Sequence, residues 1–331
     1  MPEATGILAG KSAALDPLAH LVELPLRAVL YPLGFAVEIA TNSTKVVDGA
    51  RESWGRFEPA FATPALRIRL AVSDRGASLP SRPVFRAQEH LMAIVADAEN
   101  FAVCDHAAGL AWGWLGPPAA AARAWMRHHF LEAMVYTTLT YQHLTAVHAA
   151  AVARHGRGAL LCGPSGAGKS SLALACARRG WTFVSDDVSY LVRSRGDRQV
   201  LGKPHQMRFP PSATNLFPEL AQWPSVPDAG GGMLIEVPMA DLPGARIATQ
   251  CPADHIIFLD RIAGAPPRLS PVEPLAAFEL LAAEIPMYSP RVREEHEASI
   301  DRLVAGGAHR LVYSDLEQAV SALENLIALG V

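Results

Sequence analysis

Eight residues constrain this chain more than any others. Gly163-Pro164-Ser165-Gly166-Ala167-Gly168-Lys169-Ser170 matches the pattern G-x-x-x-x-G-K-[ST]. Glycines let such a loop curl until successive backbone N–H groups point inward, where they cradle phosphate oxygens. Lys169 would reach the β- and γ-phosphates of a nucleotide, and the Ser170 hydroxyl would ligate Mg²⁺. A helix starting here adds its positive N-terminal dipole beneath the same anion. Taken alone, the pattern is also a Gly-rich turn before an ordinary helix. Context favours phosphate binding: the β-type run GALLC leads in, and SSLALACARRG reads as a helix that stops at Gly180. The residues expected to bind ATP are therefore Gly163 to Ser171, with ATP and Mg²⁺ as the expected cofactors.

The remaining composition excludes several classes. Half of the 331 residues are hydrophobic and 18% are charged, below the roughly 25% typical of globular chains. This much apolar surface can offset the ordering entropy of a packed core, so extensive disorder is not expected. A net charge of −3 offers no general basic field for nucleic acid. Cys104, Cys162, Cys176 and Cys251 are spaced 58, 14 and 75 residues apart, with neither metal-finger nor redox spacing, which reads as reduced thiols in a cytoplasmic protein. The opening MPEATGILAGKSAALDP makes a poor signal peptide. Residues 21–41 are apolar, but Glu23, Pro25, Arg27, Pro32 and Glu38 make them a poor membrane span.

Along the chain, residues 1–60 are ambiguous between a short helix and strands broken by prolines. Leu66, Ile68 and Leu70 alternate with Arg67 and Arg69, as in a half-buried strand. HLMAIVADAENFAVCDHAAGLAWGWLG predicts two or three antiparallel strands with turns at Ala98–Asn100 and Asp105–Gly109. After Pro117–Pro118 a long helical stretch runs to about Leu144. Beyond Thr145, AVHAAAVAR, GALLCG and WTFVSDD read as strands around the helix after the loop, which predicts a parallel sheet. MLIEVP and HIIFLDR are further strands, and helices are expected over 272–285 and 315–329. Pro224–Gly232 and Gly264–Pro267 are linker candidates. The expected organisation is an N-terminal α+β domain over 1–130 and a P-loop α/β domain over 131–331, with the boundary near 120–145.

WTFVSDD places Asp186 and Asp187 at the end of the strand after the loop, 17 and 18 residues beyond Lys169. In a parallel sheet that end lies beside the loop. One carboxylate there can hold Mg²⁺ and the other can take a proton from an incoming hydroxyl. Neither an N-K-x-D guanine-reading motif nor an L-S-G-G-Q signature is present, which argues against GTPases and transporter ATPases.

The stretch VHAAAVARHGRGALLCGPSGAGKSSLALACARRGWTFVSDDVSYL resembles the catalytic core of the HPr kinase/phosphorylase family, in its divergent members. The shared features are a His on the strand before the loop, the loop itself, a helix ending in R-R-G and an aspartate pair closing the next strand. The resemblance implies a P-loop kinase fold of the HPr kinase and phosphoenolpyruvate carboxykinase type, and ATP-dependent phosphorylation of a protein serine. It makes Asp186 the catalytic base and Lys169 a catalytic cation, with His148, 15 residues before Gly163, near the transferred phosphate. Ser170 and Asp187 would hold the metal, with Glu236 as a second acidic contact.

The chain departs from the family where the G-L-G-bearing signature linked to dephosphorylation is missing, which argues against phosphorylase activity and against HPr as substrate. No counterpart of the family's later Arg-bearing loop is evident; Lys203, Arg208 and Arg261 are the candidates by chemistry. His155 and the His128–His129 pair read as structural, and Trp112, Trp114 and Trp125 as core or interface aromatics. Two functional classes follow. The first is a kinase acting on a hydroxyl of a small protein or peptide, or of a small molecule. The second is an ATP-binding regulatory or assembly protein that transfers nothing. A homo-oligomer is compatible with either, and neither nucleic acid nor membrane is an expected partner.

Overall fold

A computed structural model describes residues 22–227, 232–286 and 288–328. The chain divides into two compact units, Met1–Val135 and Tyr136–Val331. Both mix helices with β-sheets. Among the described residues, no helix is long and apolar enough to cross a membrane.

In the first unit, β1 (Leu26–Leu30), β2 (Val37–Thr41), α1 (Thr44–Trp54), β3 (Leu66–Val72), β4 (Val84–Gln88), β5 (Leu91–Val95), β6 (Phe101–Asp105) and β7 (Leu110–Leu115) form one seven-stranded sheet. Its order is β1-β2-β3-β7-β6-β5-β4. The ambiguous N-terminal stretch contributes β1 and β2 as an antiparallel pair. Helix α1 provides the crossover that makes β2 and β3 parallel. Leu66, Ile68 and Leu70 are buried while Arg67 and Arg69 are exposed, so the alternation does mark a half-buried strand. Strands β5, β6 and β7 are the expected antiparallel set.

The long helix expected after Pro117–Pro118 is instead broken. It runs as α2 (Pro117–Ala121), α3 (Arg123–Met126), a π-turn at Arg127–Glu132 and α4 (Ala133–Gln142). Ala122 leaves the helical region, at ψ 76°. The buried Arg127 guanidinium needs partners. It finds Ser53 Oγ at 2.8 Å, Glu132 at 3.3 Å and Glu52, and a π-turn brings residues five apart onto one side.

The second unit contains β8 (Leu144–Val147), β9 (Ala149–Arg154), β10 (Arg157–Cys162), α5 (Lys169–Arg178), β11 (Thr182–Ser185), β12 (Ser189–Val192), β13 (Gln199–Leu201), β14 (Gln206–Phe209), β15 (Ser225–Pro227) and β16 (Met233–Pro238). It continues with β17 (Arg246–Ile247), β18 (Gln250–Pro252), β19 (His255–Arg261), β20 (Arg268–Val272), α6 (Pro274–Ala282), α7 (Pro290–Val304), β21 (Ala308–Tyr313) and α8 (Leu316–Ala328). The central sheet has the order β17-β11-β9-β10-β19-β21-β20. It is mixed rather than parallel: β9 runs against both β10 and β11, and β20 against β21. Antiparallel β9 arises because Gly156 (φ 80°) closes a tight turn from β9 into β10, which leaves no room for a crossover helix. Two smaller antiparallel sheets, β18-β13-β12-β8 and β14-β16-β15, complete the unit.

Both faces of the central sheet are covered, and β9 shows why its sequence is AAAVA. Ala150 and Val152 join one core with Leu172, Cys176, Phe183 and Leu323; Ala149, Ala151 and Ala153 join the other with Leu160, Ile256, Ile300 and Leu303. Helix α7 escaped the sequence reading because His296 and Ser299 share its buried stripe with Val292, Ile300 and Leu303. Its apolar periodicity is therefore masked. All four cysteines are free and buried. Within Pro224–Gly232, Ser225–Pro227 is a strand and residues 228–231 lie outside the described residues, as does the opening stretch 1–17; Gly264–Pro267 lies between β19 and β20.

His296 ties α7 to β8. Arg193 Nη1 donates to His296 Nε2 at 3.1 Å, so that nitrogen must be unprotonated, and Nδ1–H donates to Thr145 Oγ1 at 3.0 Å. Burial first, then the Arg193 charge, pushes the His296 pKa down to about 4. The unfolded chain takes up this proton at about pH 6.5. Stability supplied by the neutral ring is thus complete above about pH 6.5 and is lost as pH falls towards about 4. Urea unfolding between pH 7.5 and 4.5 should show the wild type losing stability more steeply than His296→Gln.

Candidate functional site

Strand direction assembles the site. Strands β10 and β11 both oppose β9, so they run the same way and end at the same edge of the central sheet. The Gly163–Gly168 loop follows β10 there, and Asp186-Asp187 follow β11. Strand β9 begins at that edge, with Ala149 opposite Cys162, so His148 lies there too. A second constraint sharpens this. Chain segments β8–β9 and β11–β12 cross side by side, in opposite directions, between the small sheet and the central one, since β8 pairs with β12 and β9 with β11. His148 and Asp186–Val188 are the two connecting points and face each other. The crossing is pinned by the Ala149 carbonyl, which accepts from Ser189 Oγ at 2.9 Å and Ser185 Oγ at 3.5 Å; the two hydroxyls are 2.7 Å apart.

The loop itself is tightly held. Gly168 has φ 95°, and a Cβ on it would lie 2.5 Å from Tyr313 Oη, which donates to Ala167 O at 3.1 Å. Ala167 N–H donates to Pro164 O at 3.1 Å. The amides of Ser165, Gly166, Gly168, Lys169 and Ser170 find no backbone acceptor among the described residues. Lys169 is buried, at 6% exposure, and its ammonium donates to the carbonyls of Gly163 at 2.7 Å and Pro164 at 3.2 Å. Burial pushes its pKa down, against the opposing pull of Asp187, Glu284 and Cys162. The ammonium thus donates only to neutral carbonyls, beside loop amides that lack backbone acceptors, while Asp187 and Glu284 partly offset its charge.

The two aspartates occupy different surroundings. Asp186 is half-buried, and its Oδ2 accepts the Arg208 N–H at 3.0 Å. Burial is the main cause that raises its carboxyl above the usual range, and the neighbouring Asp187 adds to this; the Arg208 amide and the Lys203 and Arg208 charges oppose it. Ser170 Oγ donates to the Asp186 main-chain oxygen at 3.4 Å. Asp187 is exposed, and its Oδ1 is 3.0 Å from His148 Nε2. His148 Nδ1 is in turn 3.3 Å from Glu284 Oε2.

The structure therefore brings Lys169, Ser170, Asp186, Asp187 and His148 to one edge. Glu236 belongs to the β14-β16-β15 sheet. There it stands opposite Arg208 in register and pairs with Arg208 Nε at 3.2 Å. It reaches the site only through that arginine, whose amide holds Asp186. Lys203 lies 4.7 Å from the centre of the Tyr136 ring and within charge range of Asp186. Arg261 is the exposed last residue of β19. Glu284, Tyr313 and the Ser185–Ser189 pair were not singled out from the sequence. Glu284 carried no signal because it follows a helix in AAEIP; the serines were visible only as part of a strand end.

Ser170 and Asp187 offer hard oxygen donors of the kind Mg²⁺ takes, and so fit that ion. Among the described residues, no group of three or more His, Cys, Asp or Glu side chains is arranged to hold a metal. An ion here would have to complete its shell from ligand oxygens and water, as Mg²⁺ bound with a phosphate does.

No protein-family model matches the sequence, and no curated protein matches it. Among solved structures, the HPr(Ser) kinase/phosphatase from Coxiella burnetii is similar at 19% identity with a TM-score of 0.29, over 56% of this chain and 95% of that one. A likeness this loose assigns no chemistry to the chain.

The loop's close fit to Tyr313 is testable. Gly168→Ala should destabilise the protein by about 1–3 kcal/mol, since it combines left-handed strain with a clash. Tyr313→Phe removes the clashing oxygen. In chemical denaturation, the double variant should therefore lose less than the two single losses added together.

Proposed function

We propose that this protein is an ATP·Mg²⁺-dependent phosphotransferase that phosphorylates a hydroxyl group, with a serine of a small protein or peptide as the preferred acceptor class and a small molecule as the alternative. The observation that carries the reading is the buried Lys169 ammonium, bonded only to neutral carbonyls beside loop amides that lack acceptors, with a carboxylate pair at the same sheet edge. Such a site favours a polyanion. Four buried, free thiols suit action in the reducing cytoplasm.

In this reading the amides of Ser165, Gly166, Gly168, Lys169 and Ser170 bind the β- and γ-phosphates, and Lys169 turns from Gly163 and Pro164 towards them. Ser170 and Asp187 hold Mg²⁺, which when bound neutralises charge on the phosphate oxygens. Asp186 orients the acceptor hydroxyl and takes its proton as the oxygen–phosphorus bond forms and the bond to the β-phosphate oxygen of ADP breaks. Its raised carboxyl suits that role, because a base works best with a pKa nearer the working pH. Arg208 fixes Asp186 through its amide and keeps Glu236 as its counter-ion, so Glu236 is not assigned to the metal. Lys203, whose charge acts on Asp186, is the candidate for a second cation beside Lys169.

The experiment is transfer from γ-labelled ATP into an extract of the host, with the labelled species identified by mass spectrometry. Lys169→Ala should abolish ATP binding and transfer. Asp186→Asn should bind ATP within about threefold of wild type and lose transfer by roughly 10²-fold or more, as expected for a general base. An Asp186→Asn variant that still transfers at the wild-type rate would remove Asp186 as the base. If the wild type binds ATP and labels nothing, but changes its assembly or partner binding with ATP, the regulatory reading replaces the kinase.

A further inference from the structure

His148 is touched on both sides by carboxylates from separate elements. Asp187, on the connection between β11 and β12, lies 3.0 Å from Nε2; Glu284, in the turn after α6, lies 3.3 Å from Nδ1. One contact fixes one atom of an imidazole and leaves the ring free to pivot about it. A second contact on the opposite nitrogen fixes the ring plane. The His148 side chain is 32% exposed, so these two contacts add to a partial packing. Glu284 is itself half-exposed and close enough to Lys169 to act on its charge. It thus lies at the same edge as the loop.

We infer that Glu284 is a positioning residue of this site: through Nδ1 it holds the His148 ring so that Nε2 faces Asp187. Its part in catalysis rests on the phosphotransferase reading, whereas its hold on His148 does not. The two contacts come from opposite sides of the ring, so its orientation depends on both carboxylates being present. Removing Glu284 frees the ring to turn away from Asp187, and the carboxylate loses the partner that aims it. The consequence is a rate defect that travels through His148 rather than a loss of nucleotide affinity.

Two measurements test this. In protein without nucleotide, ¹⁵N-labelled histidine NMR should show the His148 Nδ1 resonance displaced in Glu284→Ala and the other histidine signals unmoved. An unmoved His148 signal overturns the inference. In the transfer assay, Glu284→Ala should lower kcat roughly 10- to 100-fold with KM for ATP within about twofold, the scale of misplaced active groups. Glu284→Gln keeps an oxygen beside Nδ1 and should recover most of the rate. Combined with His148→Ala, Glu284→Ala should add no further loss; multiplied losses would mean that Glu284 acts independently of His148, which overturns the inference. A wild type that binds ATP but transfers nothing sinks the kinase reading, while the NMR arm still decides whether Glu284 holds the ring.

Discussion

The site depends on one backbone carbonyl. Ala149 O lies where two chain segments cross between the small sheet and the central one, and it accepts hydrogen bonds from Ser185 and Ser189 on the partner segment. In a buried setting these groups have no water to turn to, so leaving any of them unpaired would cost about 1–3 kcal/mol. The bonds therefore fix where the segments cross. Because His148 immediately precedes Ala149 and Asp186-Asp187 immediately follow Ser185, fixing the crossing also fixes the imidazole against the aspartates. The Gly-rich loop joins them only because β9 runs backwards between β10 and β11.

The parts of this arrangement that were legible in the sequence were local. The loop, its helix, the Arg-alternating strand and the β5–β7 meander each announce themselves through periodicity or turn residues within about a dozen positions. Strand direction did not. Alternating strands and helices imply a parallel sheet only if every connection is a crossover, and the tight His155–Gly156 turn is not. The expected continuous strand AVHAAAVAR is likewise two strands in two sheets, broken at His148. Nothing in an alanine-rich run marks that break. Glu284 was illegible as a site residue, and Arg208 legible only as a candidate cation and not through its amide, for a different reason: these contacts come from long-range pairing, 136 and 22 residues from the partners they hold.

The electrostatics of the edge follow from burial more than from charge count. Lys169 is surrounded by carbonyls, with Asp187 and Glu284 near enough to stabilise its charge, while its burial works against it. Its hydrogen bonds go only to main-chain carbonyls, so an anion arriving at the loop finds an ammonium not committed to a side-chain ion pair. Preorganised donors of this kind need little rearrangement when a charge is presented to them, which is why they are effective in phosphoryl chemistry. Arg208 differs: its side chain pairs with Glu236, while its amide donates to Asp186 and its charge acts on that carboxyl from a distance.

The different surroundings of two adjacent aspartates are a product of the strand they leave. Asp186 and Asp187 lie in the bend that follows β11, where the two side chains part. Asp186 turns towards β14 and the Arg208 amide, where burial raises its carboxyl, and Asp187 turns outward to His148. Two identical side chains thereby acquire different burial and different partners without any change of residue type. Exchanging Asp186 for a longer Glu would push the carboxylate into the space held by the Arg208 main chain. Exchanging Asp187 for Glu would lengthen an exposed arm whose far end is anchored on a ring. The first position is thus constrained by backbone and the second by side chain, which is the asymmetry that a pair divided between proton and metal would require.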